Sequence, residues 1–218
     1  MSELEARLPR PLVAVLRSAR SERVVDVGRV LVDAGLPAVE VTLTIPGAVE
    51  CIAALRRALP PGAVVGAGTV RTVEQLHRAA DAGAHFAVSQ VTSAEVLAAG
   101  RERGLPVVPG ALTPNEIVAA WSAGVELVKV SPVGPVGGVD YVRELVGPLP
   151  EVRLFPTGGV TLADAPAYLD AGAALVGVSR HLLLDALEPG GDLDALHERT
   201  TALVDSIDRR ARAAGGAA

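Results

Sequence analysis

The sequence has few residues of the kinds that form disulfides, metal sites, nucleic-acid contacts or membrane spans. Its single cysteine, Cys51, excludes an intramolecular disulfide and a multi-cysteine zinc site, and favours a reducing cytoplasm. Five aromatic residues and a net charge of −5, with no basic block, argue against nucleic-acid binding. No apolar run reaches membrane-spanning length, and the first residues lack a signal-peptide core. The histidines show no HExxH-like spacing, which disfavours a metal site; they are His77, His85, His181 and His197.

Lysine is almost absent. Lys129 is the single lysine among 20 basic residues, and it interrupts the apolar run 127–130, which is typical of a buried strand. Arginine stays protonated at any working pH, whereas a buried lysine can lose its proton and attack a carbonyl. Burial can lower a lysine pKa by about 3–5 units, at about 1.36 kcal/mol per unit. Lys129 is therefore either a nucleophile or a residue that reaches solvent or pairs with a carboxylate.

The chain alternates eight times between short β-rich runs and longer amphipathic stretches. The predicted strands are 13–17, 38–44, 64–70, 86–90, 107–111, 127–132, 153–158 and 175–179. The predicted helices are 21–34, 47–58, 72–82, 93–103, 114–123, 138–146, 161–171 and 196–213. Apolar strands alternating with helices predict a parallel sheet covered on both faces. We therefore expect an α/β fold, a (β/α)8 TIM barrel forming a single domain over 1–218, with its core at 13–188 and a frayed tail at 213–218.

Capping residues mark several of these helix ends. The expected N-caps are Ser21, Thr72, Ser93 and Thr113, and the expected C-terminal glycines are Gly35, Gly83 and Gly124. An open doubly wound sheet is the alternative fold. No GxGxxG opens the first helix, and polar residues occur at many strand ends rather than at one switch point, so the barrel is favoured.

Polar residues alternate with apolar ones in two of the predicted strands. In 38–44, Glu40, Thr42 and Thr44 share one face, and in 127–132 Lys129 and Ser131 do so. The face toward the helices needs apolar packing, so these residues must face the interior. Glu40 and Lys129 then face each other across a small barrel. They can act as a proton shuttle or form a neutralising ion pair without chemistry.

Other polar residues and glycines fall at the carboxyl ends of strands, where barrel active sites form. Arg17, Thr69 and Thr157 lie at or near such ends. Gly158-Gly159 follows the seventh strand and 177–180 follows the eighth. Loops at these two places often bind phosphate through backbone N–H groups. The sequence therefore predicts an anion site there.

Six segments, in order along the chain, carry a resemblance to a known family. They are VAVLR, VEVTLTIPGA, VVGAGTV, VPGALTPNE, LVKVSP and LFPTGGV. Over roughly residues 8–188 the chain resembles the 2-keto-3-deoxy-6-phosphogluconate (KDPG) and 4-hydroxy-2-oxoglutarate (KHG) aldolases, a family that includes 2-keto-3-deoxy-6-phosphogalactonate aldolases. The resemblance implies a class I aldolase on a (β/α)8 barrel, a homotrimer that needs no cofactor or metal.

The resemblance also implies roles for individual residues. Lys129 would form the Schiff base with a keto-acid substrate, and Glu40 would be the general acid and base. Arg17, Thr69 and Thr157-Gly158 would bind the substrate carboxylate. The remaining substrate-binding residues that we expect are Thr44, Gln90, Gly159, Ser179 and Arg180.

Three positions depart from the family pattern. Family members typically have Ser-Pro after strand 4, where this chain has Ser89-Gln90, which places an amide at the pocket wall. They usually carry an aromatic residue before the proline of the strand-6 motif, where this chain has Ser131, so the pocket is expected to be wider and more polar. The strand-8 loop is usually glycine then serine, but here Ser179 is followed by Arg180. The part of the pocket that would bind pyruvate is thus better defined than the part that would bind the aldehyde.

The resemblance implies reversible cleavage of a 2-keto-3-deoxy (phospho)sugar acid or of 4-hydroxy-2-oxoglutarate to pyruvate and an aldehyde. KDPG, giving pyruvate and glyceraldehyde 3-phosphate, is the first expectation. Two other classes stay open: a non-catalytic barrel that binds phosphate or keto acids, and a phosphosugar isomerase or epimerase with Glu40 as base. Only a Schiff-base enzyme would be reduced covalently at Lys129 by borohydride in the presence of pyruvate.

Overall fold

The computed structural model of the protein describes residues 3–8 and 10–215. Its strands are β1 (Leu12–Leu16), β2 (Ala38–Thr42), β3 (Val64–Gly68), β4 (Phe86–Val88), β5 (Val107–Val108), β6 (Gly110–Ala111), β7 (Val128–Val130), β8 (Leu154–Pro156) and β9 (Val176–Val178). Its helices are α1 (Glu3–Ala6), α2 (Val24–Asp33), α3 (Ala48–Ala58), α4 (Val73–Asp81), α5 (Ala94–Arg103), α6 (Pro114–Ser122), α7 (Gly138–Val146), α8 (Ala165–Asp170), α9 (Arg180–Leu183) and α10 (Leu193–Gly215). A short 3-10 helix spans Gly134–Val136.

The strands are parallel and form two hydrogen-bonded sheets, ordered β5-β4-β3-β2-β1-β9 and β6-β7-β8. The first break falls at Pro109, which lacks an N–H for the ladder, although its carbonyl accepts the Lys129 N–H at 2.8 Å. At the second break, Ala174 N–H donates to Leu154 O at 2.9 Å, which holds the start of β9 beside β8. The predicted α/β class with parallel strands is confirmed, but the ladder is split into two sheets instead of one continuous eight-stranded circle.

The element boundaries differ from the prediction in a few places. Pro109 divides the expected strand 107–111 into β5 and β6. The one-turn helix α9 and the N-terminal α1 were not predicted, because each is shorter than the window in which periodicity can be recognised. Helix α10 continues through Gly215, so residues 213–215 are helical where a frayed tail was expected, as suits a stretch rich in alanine and arginine. Residues 216–218 lie outside the described part of the chain.

The capping predictions hold at three of the four helices. Thr72, Ser93 and Thr113 each accept a hydrogen bond from a backbone N–H in the first turn of α4, α5 and α6. Ser21 does not cap α2. Its carbonyl instead accepts the Val24 N–H at 3.1 Å in a turn, so the helix begins later. The predicted terminal glycines have φ values of +89°, +87° and +77°; they are Gly35, Gly83 and Gly124.

Buried apolar residues form two clusters on opposite sides of the strands. The larger cluster fills the layer between strands and helices, and contains Val39, Val41, Val128 and Val130. The smaller lies on the inner side; its members include Leu4, Val13, Phe86, Leu127 and Phe155. The alternation predicted for β2 and β7 is therefore confirmed, since the valines pack toward the helices and the residues between them point inward. Among the described residues, no helix is long and apolar enough to cross a membrane.

A close backbone approach at Gly110 yields a testable prediction. A Cβ on this residue would lie 2.3 Å from the Gln90 carbonyl oxygen, and backbone cannot yield as a flexible side chain can. We expect Gly110→Ala to lower the free energy of unfolding by about 1–3 kcal/mol, as overpacking does. Gly62→Ala is the matched control, because no atom lies within 4 Å of a Cβ there. Urea unfolding of both variants is the measurement, and equal stabilities would contradict this packing.

Candidate active site

A cavity of about 340 Å³ opens at the carboxyl ends of the strands, and we call it the strand-end cavity. Eight of the predicted site residues line it: Arg17, Gln90, Lys129, Thr157, Gly158, Gly159, Ser179 and Arg180. Sequence reasoning had not assigned the other lining residues to substrate binding; they are Val15, Ser131, Val160, Gly177 and His181. Parallel strands end at one edge, which explains why residues so far apart in sequence meet here.

Lys129 occupies the centre of β7, paired with Gly110 of β6 and Phe155 of β8. Its side chain is only 4% exposed, and that fraction faces the strand-end cavity. Burial lowers the pKa of Lys129, and the charge of Arg17 lowers it further, while the charge of Glu40 opposes the shift. The amine is thus both accessible from the cavity and favoured in its neutral, nucleophilic form.

Glu40 lies in the centre of β2, beside Val15 of β1 and Gly66 of β3, and is fully buried. Burial raises the pKa of its carboxyl group, against the opposing effect of the charges on Lys129 and Arg17. Gly68 makes room for this group, because a Cβ there would lie 2.0 Å from Glu40 Oε1. The surroundings therefore shift Glu40 toward the carboxylic acid form, in a space shaped around it.

Within the described part of the chain, neither carboxyl oxygen of Glu40 has a hydrogen-bond partner. The hydrogen-bonded ion pair with Lys129 or Arg17, one alternative from the sequence, is therefore not formed in this structure. A buried polar group without a partner is costly, so its capacity to bond is available to a bound ligand or water. A neutral amine near a carboxylic acid can attack a carbonyl and can supply the proton that the resulting adduct needs.

Arg17 and Thr69 meet at the rim of the cavity. Arg17 Nη2 donates to Thr69 Oγ1 at 3.3 Å. Thr69 has φ +58°, a left-handed conformation that is uncommon for a β-branched residue and that is often found at functional sites. Thr69 does not line the cavity itself, but it holds the guanidinium that does.

The glycines after β8 shape the opposite wall. Gly158 and Gly159 both have positive φ, at +77° and +92°. A Cβ on Gly159 would lie 2.8 Å from Gly134 Cα, so a side chain is excluded there. Next to them, Thr157 is buried with 5% exposure. Thr157 and the two glycines all line the cavity, at the place where the sequence predicts an anion site.

The charge of the strand-end cavity is positive. The guanidinium groups of Arg17 and Arg180 line it, and its described lining contains no aspartate or glutamate. Ser179 is held in place by a hydrogen bond from its Oγ to Val15 O at 2.7 Å, and Arg180 then begins α9. Such a cavity suits a ligand that carries one or more anionic groups.

Three of the predicted site residues do not line the strand-end cavity; they are Glu40, Thr44 and Thr69. Thr44 is exposed, and its Oγ1 lies 3.1 Å from Thr42 Oγ1. The reason is that β2 ends at Thr42, whose carbonyl accepts the Ile45 N–H in a turn that carries the chain away. Val15, by contrast, was missed although it has the same strand parity as Arg17, a signal that could have identified it.

Two further observations concern the rest of the molecule. Another cavity, of about 210 Å³, lies at the amino-terminal ends of the strands, lined by Leu4, Leu105 and Leu127 among others, and its described lining includes neither Glu40 nor Lys129. Within residues 3–8 and 10–215, no cluster of three or more histidine, cysteine, aspartate or glutamate side chains is placed to hold a metal ion.

Comparison with known proteins agrees with this geometry. The family model for KDPG and KHG aldolases matches residues 5–198. The KHG/KDPG aldolase of Escherichia coli (strain K12) is 36% identical over 187 residues, which make up 85% of this chain and 87% of that protein. The 2-dehydro-3-deoxy-phosphogluconate aldolase of Dickeya dadantii (strain 3937) is 34% identical over 194 residues, 88% of each chain.

A solved aldolase structure also matches the fold of this chain. The KDPG aldolase of Legionella pneumophila, with pyruvate captured at low pH as a covalent carbinolamine intermediate, matches with a TM-score of 0.82 and 27% identity. The match covers 93% of this chain and 98% of that one. Together with the sequence relatives, this shows that the chain belongs to the KDPG and KHG aldolase family.

Proposed function

We propose that this protein is a class I aldolase that reversibly cleaves a 2-keto-3-deoxy (phospho)sugar acid or 4-hydroxy-2-oxoglutarate to pyruvate and an aldehyde, with KDPG as the first candidate. The observation that carries the proposal is a lone, buried lysine that opens to a cationic cavity near an unpartnered buried carboxyl group. Family membership and the names of the relatives support the same reaction. The Schiff base on Lys129 takes the place of a cofactor or metal.

The reaction begins with imine formation. Neutral Lys129 Nζ attacks the C2 ketone, and the new Nζ–C2 bond gives a carbinolamine. The carboxylic acid of Glu40, directly or through a water, donates a proton to the C2 oxygen, which leaves as water. The product is a protonated imine at C2, with Glu40 left as a carboxylate.

Cleavage then uses the imine as an electron sink. The C4 hydroxyl gives its proton to Glu40 or its water, the C3–C4 bond breaks, and its electron pair forms an enamine with C2. The aldehyde departs. Protonation of C3 and hydrolysis of the imine release pyruvate and restore the free amine of Lys129.

The remaining residues of the proposed site hold the substrate. Arg17, supported by Thr69, and the pair Thr157-Gly158 bind the carboxylate and fix C2 above Lys129. Gly159, Ser179 and Arg180 face the distal end of the substrate, where a phosphate or second carboxylate would lie. Gln90, which lines the cavity, completes the proposed substrate-binding set.

The two alternative functions, a non-catalytic binding protein and an isomerase or epimerase, account less well for the buried pair Glu40 and Lys129. A protein that only binds keto acids or phosphate gains nothing from burying a lysine near a carboxyl group with no hydrogen-bond partner, since such groups destabilise the fold. An isomerase or epimerase needs Glu40 as a base, yet burial favours its protonated form.

Three further features belong to the proposal, and the family resemblance is their support. These are a homotrimer, a cytoplasmic location and closure of the two sheets into one (β/α)8 barrel. Closure is also supported by the backbone hydrogen bond from Ala174 N–H to Leu154 O, which links β9 to β8 outside the regular ladder.

The first prediction concerns the nucleophile. Lys129→Arg should keep the positive charge and the fold but lose nearly all aldol cleavage, because a guanidinium does not form the imine. Borohydride with pyruvate should label the wild-type protein at Lys129 and leave the variant unlabelled, as read by mass spectrometry. Arg57→Lys, at an exposed position on α3, is the control and should retain activity with labelling still at Lys129. Substantial turnover by Lys129→Arg would contradict the imine mechanism.

The second prediction concerns the proton donor. Glu40→Gln should slow cleavage by about 10²–10⁴-fold, the usual contribution of a placed acid or base. The charge of Glu40 raises the Lys129 pKa, so its removal should move the midpoint of pyruvate trapping to lower pH. Steady-state rates and the pH profile of trapping are the measurements, with the exposed Glu50→Gln as control. Unchanged rates would make Glu40 a structural residue only.

The third prediction concerns Arg180. If its guanidinium holds the distal anion, Arg180→Ala should raise KM for an acid-tailed aldol by about tenfold or more, since it loses a charge-assisted hydrogen bond. The rate at saturation and pyruvate trapping should change little. Arg57→Ala, on the surface of α3, is the control. A gain of activity on phosphorylated substrates would instead identify Arg180 as a plug that excludes phosphate.

A further inference from the structure

A third cavity lies at the amino-terminal ends of α7 and α8, and we call it the helix-start cavity. Its volume is about 430 Å³, which falls within the range of sites that hold small molecules. Gly138 and Asp140 from α7 line it, together with Asp164 and Tyr168 from the segment of α8. Among the described residues, Gly159 is the one that lines both this cavity and the strand-end cavity. The helix-start cavity is therefore a space separate from the proposed catalytic site.

Tyr168 is a buried residue whose hydroxyl group faces the helix-start cavity. Its side chain is 2% exposed, and its hydroxyl oxygen lies 3.3 Å from the position that a Cβ on Gly138 would take. Within the described part of the chain, this hydroxyl has no hydrogen-bond partner. The hydroxyl of Tyr141, by comparison, donates to Leu112 O at 2.6 Å. Because a buried tyrosine hydroxyl normally has a partner, the hydroxyl of Tyr168 is available to a ligand.

The charges around the helix-start cavity favour a ligand without negative charge. Asp140 and Asp164 line it, and its described lining contains no arginine, lysine or histidine, so an anionic ligand is repelled. Asp140 is already paired with Arg143 on the same helix, which leaves the charge of Asp164. The positive end of the α7 dipole lies in the same cavity and offsets part of the attraction of Asp164 for a cation. Neither an anion nor a simple cation is therefore the ligand that these charges suit best.

The hydrogen-bonding groups of the helix-start cavity are of both kinds. The first N–H groups of a helix have no partner within it, and no side chain caps the start of α7, so these groups can donate to a ligand. The carboxylate of Asp164 can accept, and already does so from Thr161 Oγ1 at 2.6 Å. The hydroxyl of Tyr168 can do either. A compound with several hydroxyl groups matches this set, since each of its hydroxyls both donates and accepts.

The helix-start cavity also borders the backbone of the proposed catalytic site. Gly134, which lines the cavity, donates its N–H to Gly158 O at 2.8 Å. A Cβ on Gly134 would lie 2.9 Å from Gly159 Cα, so the two backbone segments are in direct contact. A ligand in the helix-start cavity would thus lie against the segment that follows β8 without entering the strand-end cavity.

We propose that the helix-start cavity is a second binding site, which takes a sugar or another polyhydroxyl compound without a negative charge. Tyr168 and Asp164 bond to hydroxyl groups of this ligand, and the N–H groups at the start of α7 donate to its oxygens. The site does not use Lys129 and forms no covalent bond. The inference goes beyond the proposed aldolase function and does not depend on it.

The test is a titration of the protein with D-glucose, followed by ligand-observed NMR. Glucose should bind saturably. D-glucuronate, which has the same ring and carries a carboxylate, should displace glucose at least about tenfold less well than unlabelled glucose does, because its charge approaches Asp164. Displacement is the readout, so that binding of the anion in the strand-end cavity does not contribute. No saturable binding of glucose, or equal displacement by the two sugars, would overturn the inference.

A tyrosine variant locates the bound sugar. Tyr168→Phe should weaken glucose binding by about fivefold, the usual effect of one lost hydrogen bond. The free energy of unfolding should not fall, because this hydroxyl has no partner to lose within the described part of the chain. Tyr141→Phe is the matched control, since its hydroxyl bonds to Leu112 O outside the cavity, and it should leave glucose binding unchanged. Equal binding by the wild type and Tyr168→Phe would overturn the inference, as would an equal loss in both variants.

A second variant tests the charge. Asp164→Asn keeps an oxygen that can accept from Thr161 and removes the negative charge, so glucuronate should displace glucose more readily than it does from the wild-type protein. An unchanged preference for glucose over glucuronate in this variant would mean that Asp164 does not face the ligand, and would overturn the inference.

Discussion

The removal of Glu40 and Lys129 from water is the constraint on which the site depends. Both side chains point inward from parallel strands. Burial raises the pKa of Glu40 and lowers the pKa of Lys129, so it favours the neutral form of each group, although the charge of each group opposes the pKa shift of the other. The fold leaves space for the carboxyl group at Gly68, where a Cβ would lie 2.0 Å from Glu40 Oε1. The result is an acid and an amine poised for proton transfer and for attack on a carbonyl.

The rest of the interior supports that pair from below and above. Beneath it, the inner apolar cluster, which includes Leu4 from α1 and Phe155 from β8, fills the space and excludes water. Above it, the strand-end cavity has a cationic lining that attracts an anionic substrate. The same edge carries the departures from the family, at Gln90, Ser131 and Arg180. The chemistry thus lies on the strands, and specificity lies on the segments that follow them.

Much of this could be predicted from the sequence, because strand alternation decides which side chains face inward. The parity of β2 and β7 predicts that Glu40 and Lys129 face inward, and both are buried in the structure. What failed depended on local turns and on interactions between distant segments. Thr44 was assigned by extending β2 two residues beyond its end, and the break at Pro109 depends on a missing N–H that periodicity does not register. The hydrogen bond from Gln90 Nε2 to Ser131 O joins segments 41 residues apart and has no signature in the sequence.

The protonation state of Lys129 is the central claim, and the sequence makes it directly measurable. Because Lys129 is the single lysine, protein labelled with 15N at the lysine side chain gives one side-chain resonance to follow by NMR as pH is changed. The account predicts a titration midpoint below the ordinary lysine value of about 10.4, since burial and the charge of Arg17 disfavour the ammonium. A midpoint at or above that value would contradict the account, because burial would then not favour the neutral amine.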